Sequence, residues 1–266
     1  MSSTHPCPIG LVAPHRDAPI VVDDAWCFDH WEPRLRSLPL DLAENAWPPA
    51  GWTLYRDRSR EIVYAPFDWT NAAAKVAIVG ITPGRHQGWS ASMAAARALA
   101  DGATADEALR HAKSTGSFSG PMRRNLVDML DGVGLARQLG LPSCDELFGG
   151  AAELATHLSA LAFPVFIEGR NYTGARITHE PLYVALIEQV LAAQLTQASD
   201  ALIIPLGRAA ASAVALLVEQ GSVDPGRCLF GFPHPSGANG HRQSQFEAGR
   251  AAMGAKLLAW QSQLAA

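Results

Sequence analysis

Two short apolar runs, each cut off by a loop rich in glycine and proline, organise the hydrophobic pattern of this chain. Lys75-Val76-Ala77-Ile78-Val79 leads into Gly80-Ile81-Thr82-Pro83-Gly84, and Cys228-Leu229-Phe230-Gly231-Phe232 leads into Pro233-His234-Pro235-Ser236-Gly237-Ala238-Asn239. Unbroken apolar runs of this length read as buried strands of a parallel sheet. Both loops are then expected at the same carboxyl edge, where α/β folds place their ligands.

Helical spacing appears at Ser90 to Ala100 and again at Ala105 to Lys113, the second with Thr104 as N-cap and Asp106-Glu107 in its first turn. Pro121 to Leu130 reads as a helix closed by Gly132 or Gly134, and Pro164 to Ile167 as a short strand. Pro181 to Gln197, Ala201 to Pro205, Arg208 to Gln220 and Gln243 to Leu264 then read as helix, strand, helix and final helix. This alternation predicts βαβ units and a three-layer α/β/α fold with a central, mostly parallel sheet. Residues 1–70 lack clean periodicity and read as an irregular N-terminal extension on a domain spanning 71–266, which carries a helical insertion at about 88–117. The extension's tryptophans (Trp26, Trp31, Trp47, Trp52, Trp69) are expected in core packing rather than in base stacking.

A chain of 266 residues with 48% hydrophobic content can bury one full core. No apolar stretch reaches membrane-spanning length, and Met1 to Pro14 lacks the pattern of a secretion signal, so a soluble, cytoplasmic protein is expected. Cys7, Cys27, Cys144 and Cys228 contain no Cys-x-x-Cys pair. They read as reduced thiols, without disulfides and without a zinc or iron-sulfur site, and no metal or cofactor is expected.

The net charge of −4 is unusual for a protein that grips phosphates. One segment runs the other way. Residues 75–124 carry seven basic groups (Lys75, Arg85, Arg97, Arg110, Lys113, Arg123, Arg124) against three acidic ones (Asp101, Asp106, Glu107).

In order and spacing the two loops resemble the signature motifs of the uracil-DNA glycosylase superfamily, nearest in wording to its mismatch-specific branch. There a Gly-x-Asn-Pro-Gly loop comes early and an Asn-Pro-Ser-Gly-Leu-Asn loop late. Pro121-Met122-Arg123-Arg124-Asn125-Leu126 and Ala201-Leu202-Ile203-Ile204-Pro205-Leu206-Gly207-Arg208 resemble the segments that flank them. The resemblance implies DNA as partner and an enzyme that flips a nucleotide, holds the base and cleaves its bond to the sugar.

It also implies roles. Phe118, in Ser117-Phe118-Ser119-Gly120-Pro121, stands where the stacking aromatic is expected, and Ile81 beside the base; Asn171 resembles the base-reading amide. His234 stands where an imidazole stabilises the departing base. Ser236, Gly237, Ala238 and Asn239, with Arg85, Arg123 and Arg124, are expected on the DNA backbone. Two positions depart from the pattern. Thr82 replaces the Asp or Asn that orients the attacking water, leaving His86 as a candidate for the missing polarity, and Ala238 replaces a wedging Leu. These departures point away from plain uracil and toward a modified or damaged pyrimidine, such as a bulky hypermodified phage cytosine in a defence role. The alternative is a catalytically silent nucleic-acid-binding module. A nucleotide-processing enzyme is disfavoured because no Gly-x-Gly-x-x-Gly or Walker loop is present.

Overall fold

The computed structural model describes residues 24–118 and 120–264, so Cys7 and the Met1 to Pro14 segment lie outside the described residues. Strand β3 (Val76–Gly80) is central. It pairs in parallel with β4 (Ala155–Ser159) on one side and β7 (Leu202–Pro205) on the other. Its residues are buried on both faces and alternate between two cores, the period of two that a strand requires. Val76 and Ile78 join Leu126, Leu130, Met253 and Trp260, whereas Ala77 and Val79 join Ala210, Ala213, Val214 and Leu217. Helices α4 (Pro121–Val133) and α9 (Arg242–Leu264) thus cover one face and α8 (Gly207–Glu219) the other. The three layers agree with the fold read from the pattern.

The sheet itself differs from that reading. Cys228 to Phe232 does not form a strand; it touches the sheet by one bridge, Cys228 to Ile203. Gly231, at φ 112°, bends the run away. The segment Ala155–Ser159 holds Thr, His and Ser and shows no apolar run, yet it is a full parallel strand.

A second, antiparallel sheet in the order β1-β2-β5-β6 was not legible in the sequence. It joins β1 (Thr53–Arg56) and β2 (Arg60–Val63) to β5 (Val165–Ile167) and β6 (Arg170–Asn171). Between β5 and β6 the two loop residues Glu168 and Gly169 both have positive φ, 49° and 76°, the signature of the tight turn that matches strand twist. This turn aims Asn171 back toward β3.

The segment read as a helical insertion holds α2 (Arg85–Ala100) and α3 (Ala105–Gly116). They pack closely because small residues face each other: a Cβ on Gly116 would lie 3.0 Å from Ala91 Cβ and 2.9 Å from the Gln87 carbonyl. Thr104 caps α3 through Glu107 N, with Glu107 bonded back to Thr104. Ahead of these helices lies α1 (Phe28–Arg36). Trp26, Trp31, Trp47 and Trp52 are buried in the core, and Trp31 stacks on Tyr64 at 4.8 Å. Among the described cysteines, Cys144 and Cys228 are free and buried. No helix among the described residues is long and apolar enough to cross a membrane.

Candidate active site

Because β3, β4 and β7 run parallel, the segments leaving Gly80, Ser159 and Pro205 emerge at one edge, and the His234 loop joins them there. A cleft of about 1170 Å³ opens at this edge. It is lined by Gly80 to Gly84, Ser117, Phe118, His157, the stretch from Asn171 to His179, Gly207, Arg208, His234, Ser236, Ala238 and Asn239. The two sequence motifs therefore meet across one cavity, together with Phe118, Ile81, Thr82 and Asn171. No lining residue is Asp or Glu.

His234 is the best-defined group. It is half-buried, and loss of water pushes its pKa below the ordinary 6.5, so the ring is neutral at physiological pH. The backbone N–H of Ser236 points at its Nδ1, 3.3 Å away. That contact requires a bare Nδ1 and so places the proton on Nε2, making the ring a donor there. The loop is anchored by its own side chains and neighbours. Asn239 Nδ2 donates to the His234 carbonyl, Asn125 Nδ2 to the Pro235 carbonyl and Arg242 to the Ser236 carbonyl.

Phe118 is buried against Gly80, where a Cβ would come within 3.3 Å of its ring, so glycine is needed for that approach. Phe118 itself sits at φ 49°, a costly conformation for a residue with a side chain, of order 1 kcal/mol or more. A column of rings holds it. Its edge meets His157 at 5.8 Å, His157 stacks on Phe148 at 4.6 Å, and the Arg123 guanidinium lies over Phe148 at 4.6 Å.

Other expected site residues are occupied. Thr82 Oγ1 donates to the Phe163 carbonyl at 2.8 Å, so its proton is committed and only its lone pairs face the cleft side. Asn171 Oδ1 accepts from the Arg85 N–H at 3.0 Å, helping to cap α2, which leaves its amide N–H groups as the free edge. His86 does not line the cleft; it is exposed in the first turn of α2 and its Nδ1 lies 2.9 Å from Glu44.

The guanidinium of Arg85 is held by the Trp47 carbonyl and lies over the Phe166 ring at 4.7 Å. Arg123 donates to the carbonyls of Ser114 and Ser117. Of the three arginines expected on DNA, Arg124 alone is exposed with no bond to a described residue. The amides of Ala238 and Asn239 are taken up by Ser236 Oγ and the Ser236 carbonyl, and Gly237 lies outside the lining. The exposed basic groups at the cleft mouth are instead Arg176, His179 and Arg208.

Three positions at the cleft were not legible from the sequence. Gly207, at φ 80°, backs directly onto His234. His157 on β4 is 8% exposed, and burial near Lys113 and Arg123 pushes its pKa down to about 3, so it is a neutral ring. Lys113, in the last turn of α3, is 4% exposed and lines the cleft. Its pKa falls to about 7 through burial, opposed by the buried Asp68, whose own pKa rises to about 6. A lysine in a last helical turn ordinarily signals a solvated helix end, and the sequence shows Lys113 only as one of seven basic groups in residues 75–124.

Among the described residues no cluster of His, Cys, Asp or Glu could hold a metal ion. Residues 67–257 match the uracil DNA glycosylase superfamily. The chain is also 37% identical over 224 residues to the uncharacterized protein YoxB of Bacillus subtilis (strain 168), covering 83% of this chain and 88% of that protein. With both motif loops, Phe118 and His234 gathered at one sheet edge, and a family match over residues 67–257, this chain belongs to the uracil-DNA glycosylase superfamily.

Proposed function

We propose that this protein is a monofunctional DNA glycosylase that excises a damaged or modified base by hydrolysis. The observation that carries the reading is the neutral His234, its Nδ1 engaged by Ser236 N–H and its Nε2 free to donate inside a cleft walled by Phe118. A flipped base stacks on Phe118. As the bond between C1′ and the base nitrogen breaks, the electron pair leaves with the base, and the Nε2–H of His234 donates to its carbonyl oxygen. A preorganised donor of this kind is worth about 3 kcal/mol to a departing oxyanion. Water adds to C1′ and releases a proton to solvent, leaving an abasic site.

The cleft lining holds no carboxylate that would take that proton, and Thr82 offers only lone pairs to the water. Catalysis then depends on leaving-group stabilisation more than on activation of water. Substrates with a good leaving base are favoured. A bulky hypermodified cytosine finds no feature of the cleft that selects it, and the proposal does not extend to phage DNA.

The absence of Asp and Glu from the lining also favours a second reading, a binding module that has lost catalysis. One experiment separates them. DNA carrying uracil, hypoxanthine and oxidised or alkylated bases is incubated with the protein and then heated in alkali. Strand breaks in the wild type that disappear in His234→Ala support the enzyme; retained DNA binding without breaks on any substrate supports the binding module.

A further inference from the structure

Helix α3 delivers one amine to the cleft, which an acceptor bound beside it would hold in the charged form. Lys113 Nζ donates to the Phe67 carbonyl at 2.6 Å, its one hydrogen bond among the described residues. An ammonium carries three donors, so two remain. No carboxylate lies within ion-pair distance among the described residues, and Asp68 acts on it only at longer range while accepting from Phe28 N and Tyr64 Oη. Beside Lys113 on the same wall, the neutral His157 has its Nε2 sealed from solvent with no partner. A buried ammonium with spare donors is costly unless something it meets accepts from them. Phe118, on which the flipped base is proposed to stack, lines the same cleft.

We propose that Lys113 is a specificity-determining residue of the base pocket, its ammonium donating to a carbonyl oxygen on the edge of the flipped base. Bases with a keto group there are accepted. Bases with an amino group there set donor against donor, leave both unpaired in a buried site, and are turned away. This rests on the glycosylase reading, and it adds that the insertion, rather than either motif loop, sets which edge is read.

The test compares matched oligonucleotides carrying uracil or cytosine, and hypoxanthine or adenine, with wild type, Lys113→Met and Lys113→Gln. Keto bases are also the better leaving groups, so the readout is the change in the keto-to-amino ratio of kcat/KM on mutation. The expected result is a fall in that ratio of roughly tenfold or more in Lys113→Met, with a smaller fall in Lys113→Gln, which keeps a neutral donor. An unchanged ratio in folded variants overturns the proposal while leaving the glycosylase reading intact. If the variants fail to fold, inhibition of the wild type by free bases decides: free uracil and hypoxanthine should inhibit and free cytosine and adenine should not, and equal inhibition overturns the proposal. No abasic sites from any base would overturn the glycosylase reading and this proposal together.

Discussion

Gly207 and His234 are in direct backbone-to-side-chain contact: a Cβ built on Gly207 would lie 2.9 Å from His234 Cβ. Gly207 also holds φ 80° and donates its N–H to the Phe232 carbonyl at 2.8 Å, so the start of α8 and the His234 loop are fixed to each other. Gly207→Ala is therefore expected to displace the imidazole and cut the excision rate about a hundredfold, the usual cost of misplacing a catalytic group by about an ångström. Gly140→Ala is the control. It bears the same backbone strain at φ 70° with no atom within 4 Å of its Cβ, and should leave the rate unchanged. Equal rates for all three proteins would detach Gly207 from the site.

The neutral state of His234 fixes the direction of its pH dependence. Protonation would put a hydrogen on Nδ1 opposite the Ser236 N–H and break the arrangement of the loop. Because burial holds the pKa below 6.5, the contribution of His234 to kcat/KM should be level above that pH and fall on its acid side. His234→Asn, which does not titrate, should lose that acid limb along with most of the rate. A fall in rate on the alkaline side that His234→Asn abolishes would mean that the protonated ring is the working form.

The arginines sort into two groups by what holds them. Arg208 stands exposed at the cleft mouth, and Arg176 stands there in an exposed pair with Glu180, so Ala at Arg208 should weaken DNA binding for every sequence and flatten the salt dependence by about one unit of slope, with a smaller effect at Arg176. Arg85 and Arg123 are bound to backbone carbonyls, and their replacement should lower the melting temperature with little change in slope. Salt titrations of binding check both halves, and a slope that moves with Arg85 and not with Arg208 would reverse the assignment.

Thr82→Asn tests the water position. An amide can keep a donor on the Phe163 carbonyl, as Thr82 Oγ1 does, and still offer oxygen to water, so uracil excision should rise. A drop in rate with unchanged folding would show that the Thr82 methyl or hydroxyl is itself required.

Asp68 and Lys113 give stability a defined pH profile. The folded carboxyl of Asp68, raised to about 6, binds its proton more tightly than in the unfolded chain, so its contribution is present below about pH 4 and is lost as pH rises through 6. Lys113, pushed down to about 7, runs oppositely: stability recovers as pH climbs from 7 toward the ordinary lysine range near 10.4. Denaturant midpoints should therefore pass through a minimum between 6 and 7. Asp68→Asn should remove the fall between pH 4 and 6, and a variant that keeps the wild-type profile there would place the titration on another group.

How much of this was readable before the structure depends on the range of the interaction. Lys75 to Val79 with its loop, Ala201 to Pro205, and the helices at Ser90, Ala105, Pro121 and Arg208 announce themselves by apolar period, caps and glycines, all local along the chain. From those elements follow the three layers and the exit of the Gly80 and Pro205 segments at one edge, because parallel strands send their exits the same way; the His234 loop reaches that edge through one bridge, Cys228 to Ile203, and the Gly207 N–H on the Phe232 carbonyl. What local pattern could not carry was decided by tertiary contact. Ala155–Ser159 is a strand because it lies beside β3, not because of its own residues. Asn171 faces α2 because a two-residue turn folds β6 back. Arg85 and Arg123 look like phosphate ligands in sequence and become structural because carbonyls from distant segments reach them first. Lys113 looks like a solvated helix end and is drawn inward because the Phe67 carbonyl accepts from its Nζ, which also lies over the Phe67 ring at 5.9 Å. Burial, and with it the charge state of every group that lines the site, is a property of what surrounds a residue in space, and the order of residues along the chain does not contain it locally.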